Sequence, residues 1–267
     1  MTKHAVIGLG FIYNKHAEAI SNTGGEIVIG CDIDKSKKDK LPEGSKFTEE
    51  WTDIKDVDYV SILTPNYQHP LMVKHFTEKG IKVLCEKPPV ISSKDYYDLK
   101  DEDIDVVLQL RHHPEIKKWK DEIKEYEDYK VDMKILVRRD QWYFDSWKGD
   151  EMKSGGLLFN IGIHYFDALA HLFGPFIEVK TEYIRAKRAK GKIRFLNAYV
   201  NWELALDAPM DNQKRIFEIN RNKLNLSQGF ENLHTKVYEE MLEGRGIKLD
   251  ECGETIKLIE KIKDNAI

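Results

Sequence analysis

At 267 residues the chain is longer than a single small module and shorter than three ordinary domains, so one or two domains are expected. Apolar residues make up 41% and charged residues 33%, and 42 Lys and Arg against 46 Asp and Glu leave a net charge of −4, which gives no electrostatic basis for nucleic-acid binding. No apolar run approaches the ~20 residues of a membrane span and the start lacks a signal-peptide pattern, so a cytoplasmic protein without membrane attachment is expected. Cys31, Cys85 and Cys252 are far apart and lack CxxC spacing, so they read as buried thiols; neither a disulfide framework nor a metal site is expected.

In chain order, His4–Leu9, Glu26–Asp32, Asp58–Leu63, Ile81–Cys85 and Ile104–Leu110 are short apolar runs of strand length. Helices are predicted between them near Lys15–Ser21, His69–Lys79 and Ser92–Leu99. Runs apolar on both faces, in β-α-β succession, predict a parallel sheet wrapped by helices, a doubly wound α/β fold. After Pro114 the period changes to two: Val131, Met133, Ile135 and Val137 alternate with polar residues, as do Ile177 to Tyr183, Leu196 to Leu204, and Phe217 with Ile219. That alternation predicts an open, mostly antiparallel sheet with one buried face, backed by a helix over Gly162–Phe173. Leu233, Val237 and Met241, then Cys252, Ile256 and Ile259, mark two terminal amphipathic helices. The expected domains are 1–113, binding a dinucleotide, and 114–267, an α+β domain for substrate binding and oligomerisation. An open sheet with an uncovered face predicts a homodimer or homotetramer.

Gly8-Leu9-Gly10-Phe11-Ile12-Tyr13 closes the first strand and opens the first helix, where a dinucleotide fold needs a tight turn and a free helix N-terminus facing pyrophosphate. Tyr13 stands where a third glycine is usual, so the helix is expected to pack less closely or at another angle. Asp32 ends the second strand, 22 residues beyond Gly10, and its carboxylate can accept from ribose hydroxyls while repelling a 2′-phosphate. NAD is therefore expected rather than NADP. Thr64, Asn66 and His69 follow the third strand and Glu86-Lys87-Pro88 follows the fourth, at the sheet edge where ligands of such folds bind. Dinucleotide-contact candidates are thus Gly8, Gly10, Phe11, Ile12, Asp32, Thr64, Asn66, His69, Glu86 and Lys87. Lys87 can donate to a substrate oxygen or exchange a proton. On a helix, Asn160, His164 and Asp167 share one face, and three polar groups among Ile, Tyr, Phe and Leu are costly to bury without partners, which points to a site.

Gly8-Leu9-Gly10, Glu86-Lys87-Pro88 and the run Gly155-Gly156-(x)3-Asn160-x-Gly162-x-His164-(x)2-Asp167 resemble the Gfo/Idh/MocA oxidoreductases, over essentially the whole chain. Gln109–His113, Trp142–Asp150 and Asn160–Asp167 are similar to the WlbA/WbpB branch of that family, UDP-N-acetyl-2-amino-2-deoxyglucuronate 3-dehydrogenases that serve surface-polysaccharide biosynthesis. The resemblance implies a Rossmann domain joined to an α+β domain, NAD as cofactor, and oxidation of the 3-hydroxyl of a UDP-N-acetylglucosaminuronic acid. It assigns Lys87 and His164 to the reacting hydroxyl, with His164 favoured as the base and the reverse left open. Asn160, an amide where many relatives carry an acid, can orient a hydroxyl but not ionise. Asp167 either fixes the imidazole or serves the helix structurally. A nucleotide-sugar uronate calls for cations and aromatic surface, which Arg111, His112, Trp142, Trp147 and Lys148 supply. Some members of the branch regenerate NAD with 2-oxoglutarate. Short connections at Lys40–Phe47 and Ala205–Lys214 leave the uronate specificity open to another sugar or polyol; an NAD-using glycosidase of the same fold and a sensor that has lost catalysis are the other readings.

Overall fold

The computed structural model describes residues 1–226 and 232–266. It divides into two compact units. The first holds β1 (Lys3–Ile7), α1 (Tyr13–Asn22), β2 (Glu26–Cys31), β3 (Lys46–Thr48), β4 (Tyr59–Ile62), α2 (His69–Thr77), β5 (Lys82–Cys85), most of α3 (Ser93–Leu99) and β6 (Ile104–Val106). All six strands are parallel in the order β3-β2-β1-β4-β5-β6. The order reverses between β1 and β4, the switch point at which open α/β sheets bind ligands. β4 is buried along its whole length, and β1 and β5 are buried after their first residue, which is why these runs read as continuously apolar. β3, only Lys-Phe-Thr and partly exposed, carries no such signal and falls in a stretch read as a trimmed connection.

The second unit carries α4 (Pro114–Glu122), β7 (Tyr129–Leu136), α5 (Gln141–Asp145), α6 (Glu151–Ser154), α7 (Ile163–Phe173), β8 (Phe176–Arg185), β9 (Arg188–Phe195), β10 (Ala198–Ala205), β11 (Lys214–Ile219) and β12 (Asn222–Lys223). Its sheet runs β12-β11-β7-β10-β9-β8 and is antiparallel except where β7 pairs with β10. Period two puts Val131, Met133, Ile135, Val200, Trp202, Leu204 and Phe217 on the inner face, in one core with Phe166, Leu169 and Leu172 of α7. At Gly191 of β9 a Cβ would lie 2.5 Å from the Lys180 carbonyl and 2.8 Å from the Trp202 indole, so glycine there admits the largest ring of the core. The outer face is polar, with Lys130, Arg194, Tyr199 and Asn201 exposed.

Two terminal helices follow. α8 (Leu233–Leu242) belongs to the first unit, where Val237, Tyr238 and Met241 join Val6, Leu9 and Ile20 in the core, and α9 (Gly253–Asp264) belongs to the second. The partition therefore differs from one cut after residue 113: the first stretch ends at Gln109, and residues 232–251 return to it. Cys31, Cys85 and Cys252 are buried thiols that form no disulfide. Among the described residues no helix is long and apolar enough to cross a membrane.

His4 on β1 is fully buried and stacked on Tyr59 at 5.1 Å. Burial, opposed by the charge of Asp58, pulls its pKa from 6.5 down to about 4. The unfolded chain therefore takes up this proton first as pH falls, and stability should drop by about 2 kcal/mol between pH 7 and pH 5 through this residue alone. Urea unfolding of the wild type and His4→Gln at both pH values checks this; an equal drop in the two proteins would rule it out.

Candidate active site

β1 ends at a turn whose first residue, Gly8, has φ +95°, and a Cβ there would lie 2.8 Å from the Leu63 carbonyl at the end of β4. Only glycine lets the chain pass so close. A Cβ on Gly10 would meet nothing within 4 Å, so that position faces open space. Tyr13, in place of the third glycine, is buried in the core that holds Val6 and Ile20, and its phenol donates to the Lys40 carbonyl at 3.3 Å. Ile12 precedes α1 and no side chain caps the helix, leaving its first N–H groups for a ligand. Asp32 accepts from Leu9 N–H at 2.8 Å and Asp34 N–H at 2.9 Å, and Lys37 Nζ stands 3.2 Å from both carboxylate oxygens. The carboxylate thus ties the end of β2 to the glycine turn and keeps lone pairs for ribose hydroxyls. Phe11 is 95% exposed and Ile33 is 90% exposed, apolar surface on the glycine turn and next to Asp32 that suits a flat base. A tight turn, an uncapped helix start and a strand-end acid fit a dinucleotide.

The ends of β4 and β5 are fastened together. His69, fully buried, sets Nδ1 2.8 Å from the Pro88 carbonyl and Nε2 2.9 Å from the Thr64 carbonyl. Burial pushes its pKa below the ordinary histidine value, while the two carbonyl acceptors pull it back up. Expected at the cofactor, His69 instead straps the two loops that carry Thr64 and Lys87, without surface of its own for a ligand. Asn66 is likewise buried, and Thr64 donates to Met72 Sδ at 3.5 Å. Glu86 is also inward. Its Oε1 lies 2.9 Å from His16 Nε2 and 3.7 Å from His234 Nε2, and its Oε2 accepts the Lys87 N–H at 3.1 Å. His16 Nδ1 is 2.9 Å from the Tyr238 hydroxyl, which is 2.7 Å from Ser61 Oγ. With the His16 proton on Nε2, the tautomer assigned from this network, Tyr238 donates to Nδ1 and Ser61 donates to Tyr238. Burial works to raise the pKa of Glu86, but the hydrogen bond and charge of His16, the nearby His234 and the charge of Lys87 outweigh it, holding the carboxyl well below its usual range. Among the described residues, His16, Glu86 and His234 are the one group whose ligand atoms, within 4.8 Å of one another, could take a metal. At 2.9 Å the His16–Glu86 pair is already a hydrogen bond. Lys87 follows, half-buried, its backbone fixed by this carboxylate.

In the second unit the expected single helical face is broken by a π-helical turn over Leu158–Gly162 ahead of α7, a wider turn that is frequent at functional sites. Asn160 donates to the Tyr143 hydroxyl at 2.6 Å. His164 lies in the first turn of α7, half-buried. Asp167, fully buried, accepts from Arg111 Nε at 2.9 Å, Arg111 Nη2 at 2.8 Å and Thr255 Oγ1 at 3.0 Å. Among the described residues its hydrogen bonds go to these two and none to the His164 imidazole. Arg111, expected to face substrate, is buried and turns this edge of its guanidinium to Asp167, pinning the 109–112 turn to α7 and α9; His112 on that turn is half-buried. Trp142, Trp147 and Lys148, expected to meet substrate, lie together. Lys148 Nζ is 5.3 Å from the Trp142 ring centre and 5.8 Å from that of Trp147. Burial and then the charge of Arg139 lower its pKa.

Arg139 was not anticipated. It stands 5.8 Å from the Tyr143 ring centre, and Tyr143 in turn meets Asn160. Its signal was parity: Val137 and Arg139 bond to Ala205 and Leu206 in continuation of β7, so Ile135, Val137 and Arg139 fall on one inward face while Arg138 points out.

Residues 2–104 match the family model for an oxidoreductase family with an NAD-binding Rossmann fold, and residues 120–201 match that family's C-terminal alpha/beta domain. The chain belongs to the Gfo/Idh/MocA oxidoreductase family. A WlbA (WbpB) dehydrogenase from Thermus thermophilus, solved with NAD and UDP-GlcNAcA, is 32% identical over 100% of this chain and 95% of its own, with a TM-score of 0.89. The same enzyme solved with NAD and alpha-ketoglutarate is 33% identical over 98% and 95%, also at 0.89. The D-glucoside 3-dehydrogenase of Escherichia coli (strain K12) is 27% identical over 75% of this chain; the match spans 62% of that enzyme. As a Gfo/Idh/MocA oxidoreductase the protein carries the family's NAD-binding Rossmann fold.

Two outcomes follow from this geometry. Asp32→Ala removes the candidate ribose acceptor and releases Lys37, so NADH affinity should fall by about tenfold while NADPH gains relative to it, measured by fluorescence titration; an unchanged preference counts against the assignment. Asp167→Asn leaves Arg111 buried without its charge partner and should cost about 3–5 kcal/mol in urea unfolding, with much of it recovered in the double variant Asp167→Leu/Arg111→Met.

Proposed function

We propose that the protein is an NAD-dependent sugar dehydrogenase that oxidises the 3-hydroxyl of UDP-N-acetylglucosaminuronic acid to the 3-keto sugar, a reaction of surface-polysaccharide sugar biosynthesis. One observation carries this reading: the full-length likeness, at 32% identity, to a dehydrogenase whose structure holds NAD and that uronate. NAD, when bound, supplies the acceptor for the hydride leaving carbon 3. Lys87 donates to the reacting oxygen and holds it as it becomes a carbonyl, and His164 takes the hydroxyl proton. The hub around Glu86 sets the backbone from which the Lys87 side chain extends. Asn160, bonded to Tyr143, orients a hydroxyl without ionising. Trp142 and Trp147 offer aromatic surface to the nucleotide sugar, and Lys148 between them offers a cation to the acidic sugar. The proposed second substrate is 2-oxoglutarate, a reading supported by the Thermus thermophilus complex with alpha-ketoglutarate. We place the enzyme in the cytoplasm, as a homodimer or homotetramer joined through the outer face of the second sheet.

A second reading, oxidation of a simple glucoside at carbon 3, is favoured by the likeness to the Escherichia coli D-glucoside 3-dehydrogenase. Purified protein with NAD and UDP-N-acetylglucosaminuronate, UDP-N-acetylglucosamine or methyl glucoside separates the two, read as NADH absorbance together with a product two mass units lighter. The uronate should be turned over fastest, and Lys87→Ala and His164→Ala should each lower kcat by about 10²–10⁴-fold. Faster turnover of the glucoside selects the second reading, and variants as active as the wild type would remove these two residues from the chemistry.

A further inference from the structure

The short helix α5 carries three aromatic residues in succession, Trp142, Tyr143 and Phe144, and each has a cation over its ring. Lys148 stands over Trp142 at 5.3 Å, Arg139 over Tyr143 at 5.8 Å and Lys187 over Phe144 at 4.3 Å. The nearby acids are engaged elsewhere. Asp140 lies 3.8 Å from the outward-facing Arg138, Asp145 accepts from Gln141 at 2.8 Å, and Asp150 caps α6 through Met152 N–H and lies 3.5 Å from Lys153. Arg139 Nε is buried and, among the described residues, has no hydrogen-bond partner. Among them Arg139 and Lys148 have no carboxylate partner either. Each is within the other's field, and Lys148 is half-buried.

Keeping two like charges partly out of water, one with an unsatisfied N–H, is unfavourable in the ligand-free chain. Paired cations of this kind are stabilised by an oxyanion, which accepts charge-assisted hydrogen bonds from both. Exposed Arg or Lys side chains need no such explanation, because water solvates them; the buried Nε does. The neutral groups beside the pair, Tyr143 Oη and the Asn160 amide 2.6 Å from it, are polar without adding charge. We propose that Arg139 and Lys148 form an oxyanion subsite that takes the C6 carboxylate of the sugar and so selects a uronate over the matching neutral sugar. The identity of the ligand rests on the function proposed above; the subsite rests on the unpaired cations.

The test is calorimetric titration of the NAD-loaded protein with UDP-N-acetylglucosaminuronate, UDP-N-acetylglucosamine and UDP, in the wild type, Arg139→Gln, Lys148→Met and Arg139→Lys, with melting curves to establish folding. Arg139→Gln and Lys148→Met should each weaken the uronate by about 10- to 100-fold while leaving the other two ligands within twofold, and Arg139→Lys should restore part of the loss. Should all three ligands weaken together, the oxyanion held is the diphosphate and the carboxylate assignment falls. Folded variants that bind the uronate like the wild type overturn the subsite. A wild type that binds the uronate but never oxidises it overturns the reaction instead and leaves the subsite standing. Lys148→Met keeps the test decisive if Arg139→Gln does not fold.

Discussion

A carboxylate with almost no access to water, Glu86, organises the first unit. An isolated anion there would be untenable, and it persists because His16 from α1 donates to it while Tyr238 from α8 and Ser61 from β4 complete the chain behind that imidazole. Three elements far apart in sequence thus converge on the end of β5, and the second oxygen of the same carboxylate fixes the N–H of Lys87. Removing any partner would leave a buried polar group without its bond, so the hub is worth more intact than the sum of its pairs. Precision in the Lys87 backbone is a by-product of satisfying this anion.

The second unit shows the same physics with two outcomes. Asp167 and Arg111 are a buried pair made whole by bidentate geometry and by Thr255, and such completeness is the mark of a structural element. Arg139, by contrast, keeps a buried Nε without a hydrogen-bond partner among the described residues. Burial alone does not separate structure from function here; the degree to which a charge is already answered does. Asp32 sits between these cases, since Lys37 answers it in part and two backbone N–H groups hold it in place.

The strands of the first sheet were legible because burial on both faces writes itself as uninterrupted apolar residues, and the second sheet because burial on one face writes itself as alternation. β3 was missed because three half-exposed residues make no pattern, and β9 because its strand letters are mostly Lys, Arg and Gly, with Gly191 adding no apolar side chain to the inward Ala189, Ile193 and Phe195. The helical face shared by Asn160, His164 and Asp167 was drawn on a 3.6-residue period that the π-helical turn does not obey. His69 and Glu86 were expected at the cofactor and Arg111 at the substrate, whereas all three, like Asp167, are buried and bonded to partners within the protein. What the string of letters withheld was the partner: Tyr238 lies 222 residues from His16, Asp167 lies 56 from Arg111, and no local spacing encodes either distance. The return of α8 to the first unit escaped notice for the same reason.

The charge arithmetic of the whole chain conceals a local reversal. A molecule with net charge −4 should repel an anion at long range, yet the segment from Arg138 to Lys148 sets Arg139 and Lys148 among rings while its acids bond to neighbours of their own. Low-dielectric walls concentrate the field of such cations, so a negatively charged ligand meets attraction near α5 even though the global balance is unfavourable. The aromatic residues serve this arrangement twice. Their ring faces stabilise each cation in the absence of ligand, and their bulk excludes the water that would otherwise screen it. A site built this way can remain folded while unsaturated in charge, which a bare pair of lysines in the same position could not do at comparable burial.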